Sequence, residues 1–146
     1  MIKDTYPYFF SEDKLQYSFV SLGEQGEIQK FVLISYNEEN EWNLGFGDLN
    51  NGQIDDSVIT KNHDAMKTMR TVARIVLEFF EEYPRSVLVI QPIDEKRKRF
   101  YNLIFQKFFM EIDDYFQIVG IIDDNETVYS PKNLCDSFKI SYKFAK

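Results

Sequence analysis

Between Met66 and Tyr83 the apolar residues Met66, Met69, Ala73, Val76, Phe80 and Tyr83 recur at spacings of three and four. That period belongs to a helix burying one stripe. Asn62 or Asp64 supplies the cap at its start. Pro84 ends it, because the residue before a proline is pushed out of helical geometry. Three residues later comes Val87-Leu88-Val89-Ile90, a short, mostly β-branched run with the character of a buried strand. A long helix that delivers the chain onto a buried strand restricts it to folds mixing both elements.

Strand signals lie on both sides of that pair. Gln16–Leu22 is expected as a strand closed by the turn Gly23-Glu24-Gln25-Gly26, and Ile28–Tyr36 as its partner. Asn37–Asn40 forms a polar turn, Trp42–Phe46 a third strand, 47–52 a loop and Ser57–Thr60 a short fourth strand. After Ile90, Gln91-Pro92-Ile93 interrupts the chain and Asp94 caps a second helix over roughly 95–111. Phe116–Ile122 and Thr127–Tyr129 read as a hairpin about Asp123–Glu126. In Phe138–Phe144, apolar Phe138, Ile140, Tyr142 and Phe144 alternate with Lys139, Ser141 and Lys143, marking a half-buried last strand. The aromatic run Tyr6–Phe10 is expected to lie against the body. The resulting order is ββββ-α-β-α-βββ, an α+β fold with a mainly antiparallel sheet and two helices packed on one face of it.

At 146 residues one domain over 1–146 is expected, and fourteen Phe and nine Tyr supply bulky core material. The net charge of −7 argues against nucleic-acid binding by the whole surface. No apolar run approaches the ~18 residues that span a bilayer, and no signal-peptide segment is evident, so a soluble, cytoplasmic protein is expected. Cys135 has no partner for an intrachain disulfide, and His63 is the sole histidine. Metal centres or catalysis built on several histidines are therefore excluded within one chain.

Chemistry concentrates at the start of the second helix. Lys96-Arg97-Lys98-Arg99 places four cations at the positive end of the helix dipole, where acids are favoured. The helical period aligns Arg97 with Tyr101, Ile104, Phe105 and Phe108, and turns Lys98, Asn102 and Gln106 to solvent. An Arg at a core edge with a Tyr four residues on can hold a phosphate or carboxylate bidentately. The plain alternative is a solvated charge run balancing Glu81, Glu82, Glu95 and Glu111. Lys67, Arg70 and Arg74 add cations along the first helix, an arrangement that would also suit RNA or single-stranded DNA. Glycines and acids from Gly45 to Asp56 form a second candidate, although Asp48, Asp55 and Asp56 lack calcium-loop spacing.

Two resemblances follow from these residues. Trp42-Asn43-Leu44-Gly45-Phe46-Gly47-Asp48-Leu49, then Asp55-Asp56, Val58–Asn62 and Arg97-x-Arg99-x-Tyr101 resemble the recurrent pattern of a family of short, uncharacterised bacterial proteins. That resemblance spans roughly 15–125 and implies a shared fold, with Phe46, Asp48, Asn62, Arg97, Arg99 and Tyr101 as the expected shared site. The element order is also similar to the core of the GCN5-related N-acetyltransferases. This implies an acyl-CoA site beside the strand at 87–91, with Tyr101 as general acid. In that family a Gly-rich loop cradles the CoA pyrophosphate before the central helix; here Thr60–Ala65 occupies that place without a glycine.

The first expectation is a non-enzymatic binding module without cofactor. Its ligand is anionic, or an acidic segment of a protein partner, held by Arg97, Arg99 and Tyr101 with the 45–48 stretch. An acyltransferase-like enzyme comes second, and an RNA or single-strand binder third. For self-association, the strands at 127–129 and 138–144 are the expected exposed edges.

Overall fold

The computed structural model describes residues 2–38, 40–50, 53–55 and 64–145, with 48–50 and 53–55 described by their backbone alone. Its elements are β1 (Tyr8–Phe10), β2 (Gln16–Gly23), β3 (Gly26–Glu38), β4 (Glu41–Asn50), β5 (Gln53–Asp55), α1 (Ala65–Glu82), β6 (Val87–Ile90), α2 (Glu95–Ile112), β7 (Phe116–Ile122), β8 (Asn125–Val128) and β9 (Ser137–Tyr142). The fold is α+β. The strands follow the order β1-β2-β3-β4-β6-β9-β7-β8, with β5 paired to β4. The pairing is mostly antiparallel, and β4 with β6 is a parallel pair. Contacts divide the chain into two units: Met1–Ser35 with Leu44–Glu82, and Tyr36–Asn43 with Tyr83–Lys146.

The first unit is a sheet of β1, β2, β3 and the later part of β4, covered by α1. Alternation in β2 turns Tyr17, Phe19 and Ser21 inward, and in β3 Lys30, Val32 and Ile34. Tyr6, Phe19 and Phe46 stack in a row, with ring centroids 6.0 and 6.3 Å apart. The hairpin between β2 and β3 turns through Glu24-Gln25 and needs Gly26 at φ +84, a conformation that suits glycine.

Helix α1 buries Thr68, Thr71, Val72, Ile75, Val76, Phe79 and Phe80. The stripe expected from the apolar residues is therefore rotated: Val76 and Phe80 belong to it, while Met66, Met69, Ala73 and Tyr83 are only half-buried. Hydrogen bonding explains the buried threonine at 71. Its Oγ1 donates to Lys67 O at 2.9 Å and accepts the Tyr6 N–H at 2.8 Å, which removes the cost of burying a hydroxyl.

In the second unit β6 lies between the first residues of β4 (Trp42 opposite Leu88) and β9 (Ile140 opposite Leu88). Strand β9 then pairs with β7, Ile118 facing Ile140 and Gly120 facing Phe138. Helix α2 lays Tyr101, Ile104, Phe105, Phe108 and Ile112 on this sheet. Phe105 stacks on Phe138 at 4.2 Å. A Cβ at Gly120 would lie 2.4 Å from Cys135 Sγ, so only glycine lets that buried thiol pack against β7. Asp123 and Asp124, at φ +50 and +64, make the tight turn into β8. That is the primed geometry favoured in two-residue hairpins.

Two sequence expectations differ in detail and one is not tested. β1 at Tyr8–Phe10 and β5 at Gln53–Asp55 are strands not expected from the sequence, and the described elements run βββββ-α-β-α-βββ. β4 runs on to Asn50, so Gly45–Asp48 is strand rather than the mouth of a loop; pairing with β5 (Asp48 opposite Asp55, Asn50 opposite Gln53) carries it. The strand expected at Ser57–Thr60 lies outside the described residues. No helix among the described residues is long and apolar enough to cross a membrane.

Candidate functional site

Helix α2 starts with an internal cap. Asp94 accepts the Arg97 N–H at 2.8 Å, satisfying one of the orphan donors of the first turn. The same carboxylate pairs with the Arg97 guanidinium. Lys98 reaches Asp136 at 2.6 Å and lies 4.0 Å from Glu95. This pairing raises the pKa of Lys98 and holds Asp136 below the usual carboxylate range, the shared hydrogen bond being the leading cause in both. Two of the four cations at the positive end of the dipole are thus neutralised locally.

Lys98 and Asn102 were expected on the solvent side, and the structure corrects this. The segment before β9 covers that flank of α2. Asn102 is 3% exposed; its amide nitrogen donates to Cys135 O at 2.9 Å and its oxygen accepts the Cys135 N–H at 2.8 Å. A further bond from the same nitrogen to Lys98 O, at 2.8 Å, ties the clamp to the helix. An amide whose groups are all engaged is at home in a core.

The true outer face of α2 is Lys96, Arg99, Leu103, Lys107 and Met110, all exposed and spaced three, four, four and three. At 100° per residue they occupy one narrow stripe. Leu103 is 47% and Met110 84% exposed, and Ile93, just before the cap, is 81% exposed. Among the described residues Lys96, Arg99 and Lys107 have no ion pair, in contrast to Arg97 and Lys98. The stripe alternates free cations with solvated apolar side chains.

The expected site residues divide as follows. Arg99 lies on this stripe. Arg97 lies about a third of a turn from the centre of the stripe, against Asp94, and its charge acts on Tyr101. Tyr101 is a core residue, 6% exposed, and burial pushes its hydroxyl up to about 12, which keeps it protonated. Phe46 belongs to the buried aromatic row of the first unit, and the backbone of Asp48 lies in β4 opposite Asp55. Asn62 lies outside the described residues. Along α1, Lys67 and Arg70 approach Asp4 at 3.8 and 3.3 Å, so neither is an idle cation.

A polar cluster inside the first unit carries no motif in the sequence. Asp64, one residue before α1, turns its side chain toward the sheet. Its Oδ2 accepts from Tyr6 OH at 2.6 Å and from Ser21 Oγ. The Tyr6 hydroxyl accepts the Leu22 N–H at 3.1 Å. Asp64 Oδ1 and Thr68 Oγ1 are buried with no hydrogen-bond partner among the described residues, and Lys30, fully buried, faces the same side of the sheet. In the sequence only the position of Asp64 beside the helix start points here, and it suggests a cap. In the structure its carbonyl accepts the Thr68 N–H at 2.9 Å while its side chain turns to Tyr6 and Ser21.

Comparison with curated proteins and with solved structures gave no match. One family model does match, over residues 2–143. The chain belongs to a family of unknown function, DUF6934.

Proposed function

We propose that the chain is a non-enzymatic binding module whose α2 outer face receives an acidic, amphipathic segment of a protein partner. The supporting observation is the stripe itself: Lys96, Arg99 and Lys107 stand without ion pairs among the described residues, interleaved with exposed Leu103 and Met110. Cations left unpaired in a chain of net charge −7 complement carboxylates. The apolar side chains between them match a helix laid along a groove or ridge, read out at three- and four-residue spacing. Arg99 is the residue shared between this stripe and the sequence motif. Arg97 and Tyr101 support it from behind, one fixing the helix start and the other the core beneath. Phe46, Asp48 and Asn62 are proposed as motif residues of the first unit, to be tested singly as alanine variants in the same assay.

The test uses a fluorescein-labelled amphipathic helical peptide with glutamates flanking a leucine stripe, titrated by fluorescence anisotropy at low and moderate salt. Saturable binding should weaken at least tenfold in Lys96→Glu/Arg99→Glu, with Arg97→Ala close to wild type. Loss of affinity with salt is expected to be shallow, since three cations are engaged. Binding that ignores the charge reversal, or no saturable binding, defeats the proposal. Acetyl-CoA and a short RNA are the comparison arms. Saturable acetyl-CoA binding lost in Tyr101→Phe would favour acyl transfer, and steep salt dependence with RNA would favour nucleic acid.

A further inference from the structure

The sheet of the first unit has a second side. Its inner face packs on α1, while on its outer face stand Phe9 of β1, Val20 and Leu22 of β2, and Phe31 and Leu33 of β3. Phe9 is 76% and Leu22 57% exposed. Phe9, Ser18 and Phe31 form one cross-strand row, because Phe9 pairs with Ser18 and Ser18 with Phe31. An open groove of about 200 Å³ lies here, lined by Phe9, Phe10, Gln16, Ser18, Phe31 and Leu33. Of the outward positions in β2 and β3, Glu27 alone carries a charge. In a chain that is 28% charged, such a face is exceptional.

Strand β1 ends the sheet, with no strand beyond it among the described residues. Ser11 donates its N–H to Gln16 O at 2.9 Å. Antiparallel ladders alternate, so Phe9 also turns its backbone groups toward β2, and Tyr8 and Phe10 turn theirs outward. Natural edges are usually blunted by charge, proline or a bulge. The other end of the sheet follows that rule: β8 carries Glu126, bound at 3.3 Å by Lys139, beside the Asp123-Asp124 turn. Tyr8-Phe9-Phe10 carries no charge or proline within its three residues. Pro7 precedes it and the Lys14 ammonium lies over the Phe10 ring at 3.7 Å, which leaves Phe9 as its open position.

We infer that this edge is a homodimer interface: two copies pair β1 to β1, antiparallel about a two-fold axis centred on Phe9. The axis sets Tyr8 opposite the partner's Phe10 and Phe9 opposite its own copy. The outward groups of Tyr8 and Phe10 then supply the ladder bonds, and the two Phe9 rings meet on the outer face over the groove. Charge selects a second copy as the occupant. Two chains of net charge −7 repel except across an uncharged patch. This edge meets its copy without placing like charges opposite each other. The contact is small. At about 200 Å² per large apolar side chain, the exposed parts of Phe9 and Phe10, the edge residues that the pairing covers, come to roughly 250 Å² per partner. That is about a third of the ~800 Å² in a standard interface, so the pairing is weak and concentration-dependent.

Sedimentation velocity over a concentration series tests this. Wild type should shift to a dimer with rising concentration, and Phe9→Lys should remain a monomer with an unchanged circular dichroism spectrum. A second variant reports the geometry directly. In Phe9→Cys the two-fold places the new thiols in a non-hydrogen-bonded pair, within disulfide reach. Mild oxidation should give a covalent dimer, with Leu22→Cys as the negative control; Cys135 is fully buried and does not interfere. A wild type that stays monomeric throughout overturns the inference. So does a dimer that survives in folded Phe9→Lys, or a Phe9→Cys chain that stays uncrosslinked while dimeric.

Discussion

Beneath the sheet of the first unit lie Ser21, Lys30, Thr68 and Thr71, whereas the second unit is closed by Phe105, Phe108, Phe116 and Phe138, with Ser86 and Asn102 as its buried polar residues. Their surfaces differ in the opposite sense. The first exposes phenylalanine and leucine on a sheet, and the second exposes a helix face studded with cations. Burial of apolar area fixes how much stability an interior yields, while buried hydrogen bonds fix which arrangement it adopts. The second unit relies mainly on the first of these, and the first unit adds much of the second.

Substitutions sharpen the contrast. The largest effect is expected from Phe138→Ala, which removes a fully buried ring stacked at 4.2 Å on Phe105; about 3–5 kcal/mol should be lost in urea unfolding. A loss below ~1 kcal/mol would mean that the aromatic layer is not what closes the second unit. Next come the two hydrogen-bond clamps. Asn102→Ala strands the backbone of Cys135 and should cost ~2–3 kcal/mol, and Tyr6→Phe deprives Leu22 N–H and Asp64 of a partner for ~1–2 kcal/mol. If Tyr6→Phe is neutral by thermal unfolding, the polar interior of the first unit is tolerated rather than used.

The smallest effect concerns pH. Glu78 accepts from Lys14 at 2.8 Å and from Tyr8 OH at 2.9 Å, and these bonds, Lys14 first, hold it below the usual carboxylate range. Burial pushes the Tyr8 hydroxyl up to about 12, so it stays a donor. A carboxylate depressed in the folded state stabilises fully above its unfolded pKa and loses that contribution as pH falls through the folded one. Wild type should exceed Glu78→Gln by ~0.5–1 kcal/mol at pH 7. The gap should close in acid, below about pH 4. A gap independent of pH would assign the difference to packing.

Both helices and the strands at β2, β3, β6, β7 and β9 were legible because apolar period, turn residues and Pro84 agree there. Strand β1 was not, since three residues after a proline carry no alternation to count. The continuation of β4 past Phe46 was masked by Gly45, Gly47 and Asp48, which look like a turn until the pairing with β5 is known. Of the expected intermolecular edges, β8 is an edge, but β9 lies inside the sheet between β6 and β7. Its alternation reflects partial burial and does not mark a free side. On the outer face of α2 the sequence pointed to Lys96 and Arg99, and not to Leu103, Lys107 or Met110. The local run Lys96–Arg99 drew attention to neighbours in sequence, while the face is defined by residues up to fourteen positions apart. Asn102 could not be placed without knowing that a distant segment covers its flank.

The interior position of β9 also sets an order of events. In the second unit β6 and β7 are not paired with each other; each pairs with Ser137–Tyr142, which lies between them. Every element that β9 joins precedes it along the chain, so α2 and its neighbours leave the ribosome with an open seam. Pairings separated by some fifty residues between β6 and β9 form slowly, and until then the seam offers unpaired strand edges to any neighbour. The second unit is therefore completed only after synthesis has passed its last strand. Removing that strand would leave a split sheet, and the loss would reach far beyond the residues deleted.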